Sequence, residues 1–214
     1  MKRNTFPIGT LILFVAFVAT MWATHLLVRP PAPPPELEGV LRSDYRLLQP
    51  FSLGDQHGRP FTNEQLRGKW SLVFFGYVSC PDVCPMTLHE LASFRSLLRD
   101  DTNAEPDELQ VAFVSVDPAR DSPERLGEYV GHFNRRFLGL TGDRQQIDRL
   151  AGQLGAGYEL QEETSPGQYA VMHSSAIFVI DPLGRSVATF SQPHYASTIL
   201  AQYRRLTRYF GGKG

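Results

Sequence analysis

Cysteine is nearly absent from this chain: 214 residues contain two, Cys80 and Cys84. A disulfide framework needs several pairs at wider spacing, so that class is excluded. What remains is a chemical site or two inert core thiols. No cysteine lies at the end of the apolar N-terminal run, which argues against a lipid-modified cysteine as anchor. An excess of one charge is also missing, with 21 basic and 22 acidic residues for a net charge of -1. Without a basic surplus to neutralise phosphates, nucleic acid is excluded as a partner. Internal repeats are lacking too. Apolar content of 42% with 11% aromatics fits a packed core and not a disordered chain.

Long apolar runs number one. Residues 8–28 are uncharged and mainly apolar over 21 positions, and about 20 such residues cross the hydrocarbon core as a helix. Lys2 and Arg3 precede the run, which puts residues 1–7 in the cytoplasm and the rest across the membrane. A cleaved signal peptide is the rival reading, but its apolar core is shorter, about 7–15 residues, and ends at a small-x-small site that is not evident here. The expectation is a single transmembrane helix in the inner (cell) membrane with the domain facing the periplasm. The absence of an Arg-rich presequence favours a bacterial over a mitochondrial setting. Residues 29–46 open with Arg29-Pro30-Pro31-Ala32-Pro33-Pro34-Pro35. Such a stretch extends as polyproline II at about 3.1 Å per residue and reads as a stalk.

Residues 47–210 read as one α/β domain, with 211–214 a flexible tail. Phe51 to Phe61 alternates around Asp55-Gln56-His57-Gly58, a hairpin pattern. Trp70–Tyr77 and Val111–Val116 are continuous apolar runs, the pattern of strands buried on both faces. Met86–Leu98 has apolar residues at helical spacing, and Ser122-Pro123 supplies a cap and a first helical residue. A helix follows over Gly142–Leu154. Ala176–Ile180 is a strand, Arg185–Phe190 returns as its hairpin partner after the turn Asp181-Pro182-Leu183-Gly184, and a last helix covers Tyr195–Tyr209. Alternating strands and helices predict a mainly parallel sheet covered on both sides.

The chemistry concentrates in Cys80-Pro81-Asp82-Val83-Cys84-Pro85, between a buried strand and a helix. Pro85 suits the first helical position, which makes Cys84 the cap and leaves Cys80 in the loop. Thiolates near a helix start are stabilised by free backbone donors and the dipole. That serves a redox-active disulfide pair and a metal site alike. The three intervening residues differ from the usual C-x-x-C of exchange enzymes, and two thiolates suit a soft ion, above all Cu(I). A third ligand must come from six histidines. His25 lies in the anchor, His57 in a turn, and His132 on a remote helix. His89 points away from the start of its helix. His173, just before a buried strand, and His194, after a proline in a loop, stay open.

Three blocks resemble the Sco/SenC proteins: Phe75 to Pro85, Val114-Ser115-Val116-Asp117-Pro118-Ala119-Arg120-Asp121-Ser122-Pro123, and Tyr169-Ala170-Val171-Met172-His173-Ser174. The similarity covers about residues 47–210, and anchor plus stalk match the family layout. The resemblance implies a thioredoxin-like fold and a copper ion held by Cys80, Cys84 and His173. It also implies a role in building the dinuclear copper centre of cytochrome c oxidase. Met172-His173 stands where thioredoxin-like proteins carry a cis-proline against the active cysteines. Met172 departs from the acidic residue common among relatives and is expected to pack. Asp117 matches an acidic family position, while Arg120 and Asp121 read as turn and cap residues.

Three functions follow from these readings. One is a metallochaperone delivering copper to the copper-site subunit of the oxidase. Another is a thiol-disulfide oxidoreductase keeping that subunit's cysteines reduced; it needs only Cys80 and Cys84. A copper or redox sensor is a third, and a peroxidase lacks a threonine-and-arginine pair. Zinc is disfavoured because a structural site takes four ligands and three are in view. An oxidising compartment adds a thioredoxin-like reductant as a partner.

Overall fold

The computed structural model describes residues 8–27, 34–102, 108–165, 167 and 169–211. It divides into two compact units, Met1–Pro34 and Pro35–Gly214. In the first, α1 is a helix over Ile8–Leu27. Its position matches the expected anchor, but among the described residues no helix is long and apolar enough to cross a membrane. The transmembrane reading therefore finds no support in the structure. Residues 1–7, Val28 and the first part of the stalk lie outside the described residues.

The second unit contains β1 (Leu41–Leu47), β2 (Ser52–Asp55), β3 (Pro60–Thr62), β4 (Trp70–Gly76), α2 (Val83–Thr102), β5 (Leu109–Ser115) and α3 (Pro123–Phe133). Then come β6 (Leu138–Thr141), α4 (Arg144–Leu154), β7 (Tyr158–Leu160), β8 (Val171–His173), β9 (Ile177–Ile180), β10 (Arg185–Phe190) and α5 (Ala196–Gly211). The stalk is shorter than the expected 29–46. Leu37 is buried, and β1 pairs with β10, so residues from 35 onward belong to the folded unit. Gly211, the first residue of the expected tail, ends α5, and residues 212–214 lie outside the described residues.

Eight strands form one sheet in the order β1-β10-β9-β4-β5-β6-β2-β3, and β7–β8 make a separate ribbon. The sheet is mixed and not mainly parallel: only β4/β5 and β5/β6 run parallel. Gly184, at φ 80°, lets the chain turn straight back into the expected β9–β10 hairpin, and β9 enters the sheet antiparallel to β4. β1 and the β2–β3 hairpin then add antiparallel edges.

Both faces of the central strands are covered, which is why they read as unbroken apolar runs. Leu72 and Phe74 of β4 face Leu88, Leu91 and Phe94 of α2 and Tyr203 and Leu206 of α5 in one core. Val73 and Phe75 point the opposite way, towards Ile147, Leu150 and Leu154 of α4 in a second core. Burying each such side chain stabilises the fold by about 1.5–3 kcal/mol. Ser122 caps α3 by accepting from the Arg125 N–H, with Pro123 opening the helix as expected. This double packing fixes the ends of β4 and β5, and the site is built on those ends.

Candidate metal centre

β4 and β5 run in register and end together, Gly76 beside Ser115. The chain leaves β4 through Tyr77, Val78 and Ser79, and this loop is fastened to the start of α3. The Val78 N–H donates to Asp121 Oδ2 at 3.0 Å, the Ser115 hydroxyl donates to the same oxygen at 2.6 Å, and Arg125 Nη2 donates to Ser79 Oγ at 2.8 Å. Asp121 is thus a buried acceptor and not the cap residue expected of it. Burial raises its pKa. Sequence reasoning passed over Tyr77, Asp121 and Arg125 as site-building residues. Asp121 and Arg125, an acid and an arginine after a buried strand, look like ordinary turn chemistry until the loop lies against them.

α2 begins earlier than Pro85 predicts. Val83 is its first residue, and the Met86 N–H donates to the Asp82 carbonyl at 3.2 Å. Cys84 therefore sits inside the first turn and not at the cap. Pro85 is tolerated there because the first four helical N–H groups have no partner inside the helix. Cys84 is fully buried and Cys80 is half-buried in the loop.

His173 ends β8, and its Nε2 is 3.3 Å from Cys84 Sγ. Nδ1 lies 3.0 Å from the Ser174 carbonyl. A carbonyl only accepts, so Nδ1 carries a hydrogen and donates. Nε2 is left as the nitrogen facing the sulfurs. Protonated, it donates to a thiolate; deprotonated, it offers a lone pair to an ion. The imidazole meets the rings of Phe74 and Tyr77 edge-on, each at 6.0 Å between centroids. One donor atom each from Cys80, Cys84 and His173 all lie within 4.8 Å of one another, the one such group among the described residues.

The two thiols are coupled and unequal. Cys80 is pulled down to about 4, chiefly by a hydrogen bond from Cys84. A bond from His173 and the backbone groups of Asp82 and Cys84 lower it further, against the effect of burial. Cys84 moves up, because it supplies that bond and because it is buried. Cys80, the more exposed sulfur, is the thiolate, and Cys84 keeps the proton until something replaces it. This donor set fits a soft ion: two sulfurs, one imidazole, and no carboxylate in the group.

The other candidates fall elsewhere. His194 is buried with Nε2 2.6 Å from the Ser175 carbonyl, outside the cluster. His57, His89 and His132 are exposed, and the side chain of His25 lies outside those described. Asp117 is fully buried and bound to Arg120 and Tyr169, so it is no ligand in this arrangement. Met172 does not pack: it is 62% exposed, because the ribbon leaves that face uncovered while its neighbour His173 turns inward. A groove of about 700 Å³ opens the site to solvent, lined by Cys80, Pro81, Tyr158, Met172, His173 and Gln192 among others.

Comparison with known proteins follows the same residues. The model of the SCO1/SenC family matches residues 40–208. A SCO2-like protein of Rickettsia prowazekii is 30% identical over 201 residues, covering 92% of this chain and 96% of that protein. The crystal structure of Arabidopsis thaliana ScoI with copper bound superposes with a TM-score of 0.70 at 29% identity, covering 77% of this chain and all (100%) of the other. Yeast Sco1 with copper bound gives a TM-score of 0.69 at 32% identity, covering 76% of this chain and 88% of that one.

Proposed function

This chain belongs to the SCO1/SenC family, and we propose that it binds a copper ion through Cys80, Cys84 and His173 and hands that ion to a recipient protein. The observation that carries this is His173 Nε2 at 3.3 Å from Cys84 Sγ, its other nitrogen held by the Ser174 carbonyl. Copper-bound relatives of the same fold support the choice of metal. An open groove at Cys80 and His173 suits a cargo that must leave again. By the resemblance in the cysteine and histidine blocks, the recipient is the copper-site subunit of cytochrome c oxidase. By the apolar run at 8–28, the domain is tethered to the inner membrane and faces the periplasm.

Thiol chemistry is the second reading. A thiolate on Cys80 beside a buried thiol on Cys84 is the arrangement that attacks a disulfide and then resolves it. The two roles are compatible, and a thioredoxin-like reductant would reset the pair. Copper titration of the full chain separates them. Cys80→Ala or Cys84→Ala should abolish tight binding. His173→Ala should weaken Cu(II) binding and change its spectrum while a two-thiolate Cu(I) site survives in part. His194→Ala should leave the spectrum unchanged; a changed spectrum there, with none for His173→Ala, overturns the ligand set.

A further inference from the structure

β8, which carries His173, is three residues long and pairs only with β7, outside the main sheet. Backbone pairing to the large sheet therefore does not hold the imidazole over the cysteines. A group of side chains reaches the segment instead. Arg120, from the loop after β5, donates through Nη1 to the carbonyls of Tyr169 at 3.1 Å and Gly167 at 3.3 Å. Its guanidinium lies 3.6 Å from the centroid of the Tyr169 ring and 5.8 Å from that of Tyr77. Its Nε donates to the Asp117 carboxylate, whose other oxygen accepts from the Tyr169 hydroxyl at 2.7 Å. Asp117 is fully buried and receives no exposure to water that could replace these partners. Tyr77 closes the group by bonding the Val171 backbone and meeting His173 edge-on. Only Arg120 Nη2 lacks a protein acceptor.

We propose that Asp117, Arg120 and Tyr169 form a clamp that positions His173, binding no metal themselves but deciding whether the imidazole reaches the two sulfurs. The clamp grips the chain four and six residues before His173, at two carbonyls, one ring and one hydroxyl, all anchored to the end of β5. Released, the segment keeps its pairing with β7 and the Tyr77 contact at Val171 but loses the hold on its start, and the site falls back to two thiolates. The inference rests on the copper reading for its consequence but not for its geometry.

The test uses the full chain in detergent, with Arg120→Gln and the milder Tyr169→Phe, which keeps the ring and loses the Asp117 bond. Two readouts are taken: imidazole nitrogen signals of His173 by NMR without metal, and Cu(II) binding with its nitrogen hyperfine coupling. Arg120→Gln should shift the His173 nitrogen signals, weaken Cu(II) by about 10–100-fold as lost supporting contacts do, and remove the nitrogen coupling, while Cu(I) stoichiometry holds. Adding His173→Ala to Arg120→Gln should cost nothing further, since both act through one imidazole. Tyr169→Phe should fall between. Unmoved nitrogen signals in both variants, or additive losses in the double variant, overturn the clamp. Shifted signals in a chain that binds no copper at all would uphold the clamp and sink the copper reading.

Discussion

Gly76 and Cys84 approach so closely that a Cβ on Gly76 would stand 2.6 Å from Cys84 Sγ and 2.7 Å from the Phe113 ring. Gly76 ends a strand buried on both faces, and Cys84 is locked in the first turn of α2, so neither backbone can yield. Gly76→Ala should therefore push the sulfur out of place. The expected cost is about 1–3 kcal/mol of stability, the range for overpacking a tight core. Copper affinity should fall as well, because Cys84 no longer sits beside His173. Chemical denaturation and copper titration of the full-length variant check both, and an undisturbed affinity would show that the sulfur position is not set by this contact.

Cys80 is held near 4, far below the usual thiol value of about 8.5. Alkylation of Cys80 by iodoacetamide in the metal-free, reduced chain should thus change little between pH 8 and pH 6. An ordinary thiol would slow by nearly 100-fold over that interval. Cys84, whose pKa is raised, should stay unlabelled in the folded state. The linkage has opposite signs for the two groups. The Cys80 contribution to stability is complete above its unfolded value and is lost as pH falls towards about 4. The Cys84 contribution is present at lower pH and is lost as pH rises past its unfolded value. Stability of the reduced chain should therefore rise from acid towards neutral pH and decline again in alkali. Cys80→Ser should flatten the acid limb, and an unchanged limb would contradict the assignment of the thiolate.

Oxidation and copper binding should exclude each other. A metal ligand must be a thiolate, and a disulfide sulfur has lost that charge. Closing Cys80 to Cys84 would bring sulfurs now within 4.8 Å to about 2.05 Å, too close to straddle an ion. Cys80 lies in the loop ahead of α2 and is not locked into the helix. The oxidised chain should fold but bind no copper tightly, and reduction should restore one copper per chain. Thiol counts paired with copper stoichiometry on both forms test this; equal binding in both would leave the cysteines with redox chemistry alone.

Membrane tethering rests on residues 8–28 and the Lys2-Arg3 flank. The full chain should remain in the membrane pellet after carbonate washing, and a reporter active only in the periplasm, fused after Gly214, should be active. Release of a shortened soluble chain would show cleavage instead.

Several parts of this molecule could be read without coordinates because their signals are local. A strand buried on both faces must be apolar throughout, so β4, β5 and β9 were plain as Leu72–Phe75, Val111–Val114 and Ile177–Ile180. A capped helix announces itself at Ser122-Pro123. Two thiols beside a helix start signal reactive sulfur chemistry wherever the rest of the chain goes. The choice of His173 came only through resemblance to a family, since spacing left His194 open. Strand direction was misread because the Asp181–Gly184 turn fixes that β9 reverses but not which strand it pairs with. That pairing, and everything that depends on it, belongs to tertiary structure. Packing decided that Cys84 lies inside α2, that Asp121 serves the cysteine loop, and that Met172 faces solvent while His173 faces sulfur. The sequence determined which groups carry the chemistry, because donor type belongs to the residue, while packing set the opposite acidities of Cys80 and Cys84. The distances between them depend on contacts made 89 residues apart between Cys84 and His173, and no local pattern encodes a contact of that range.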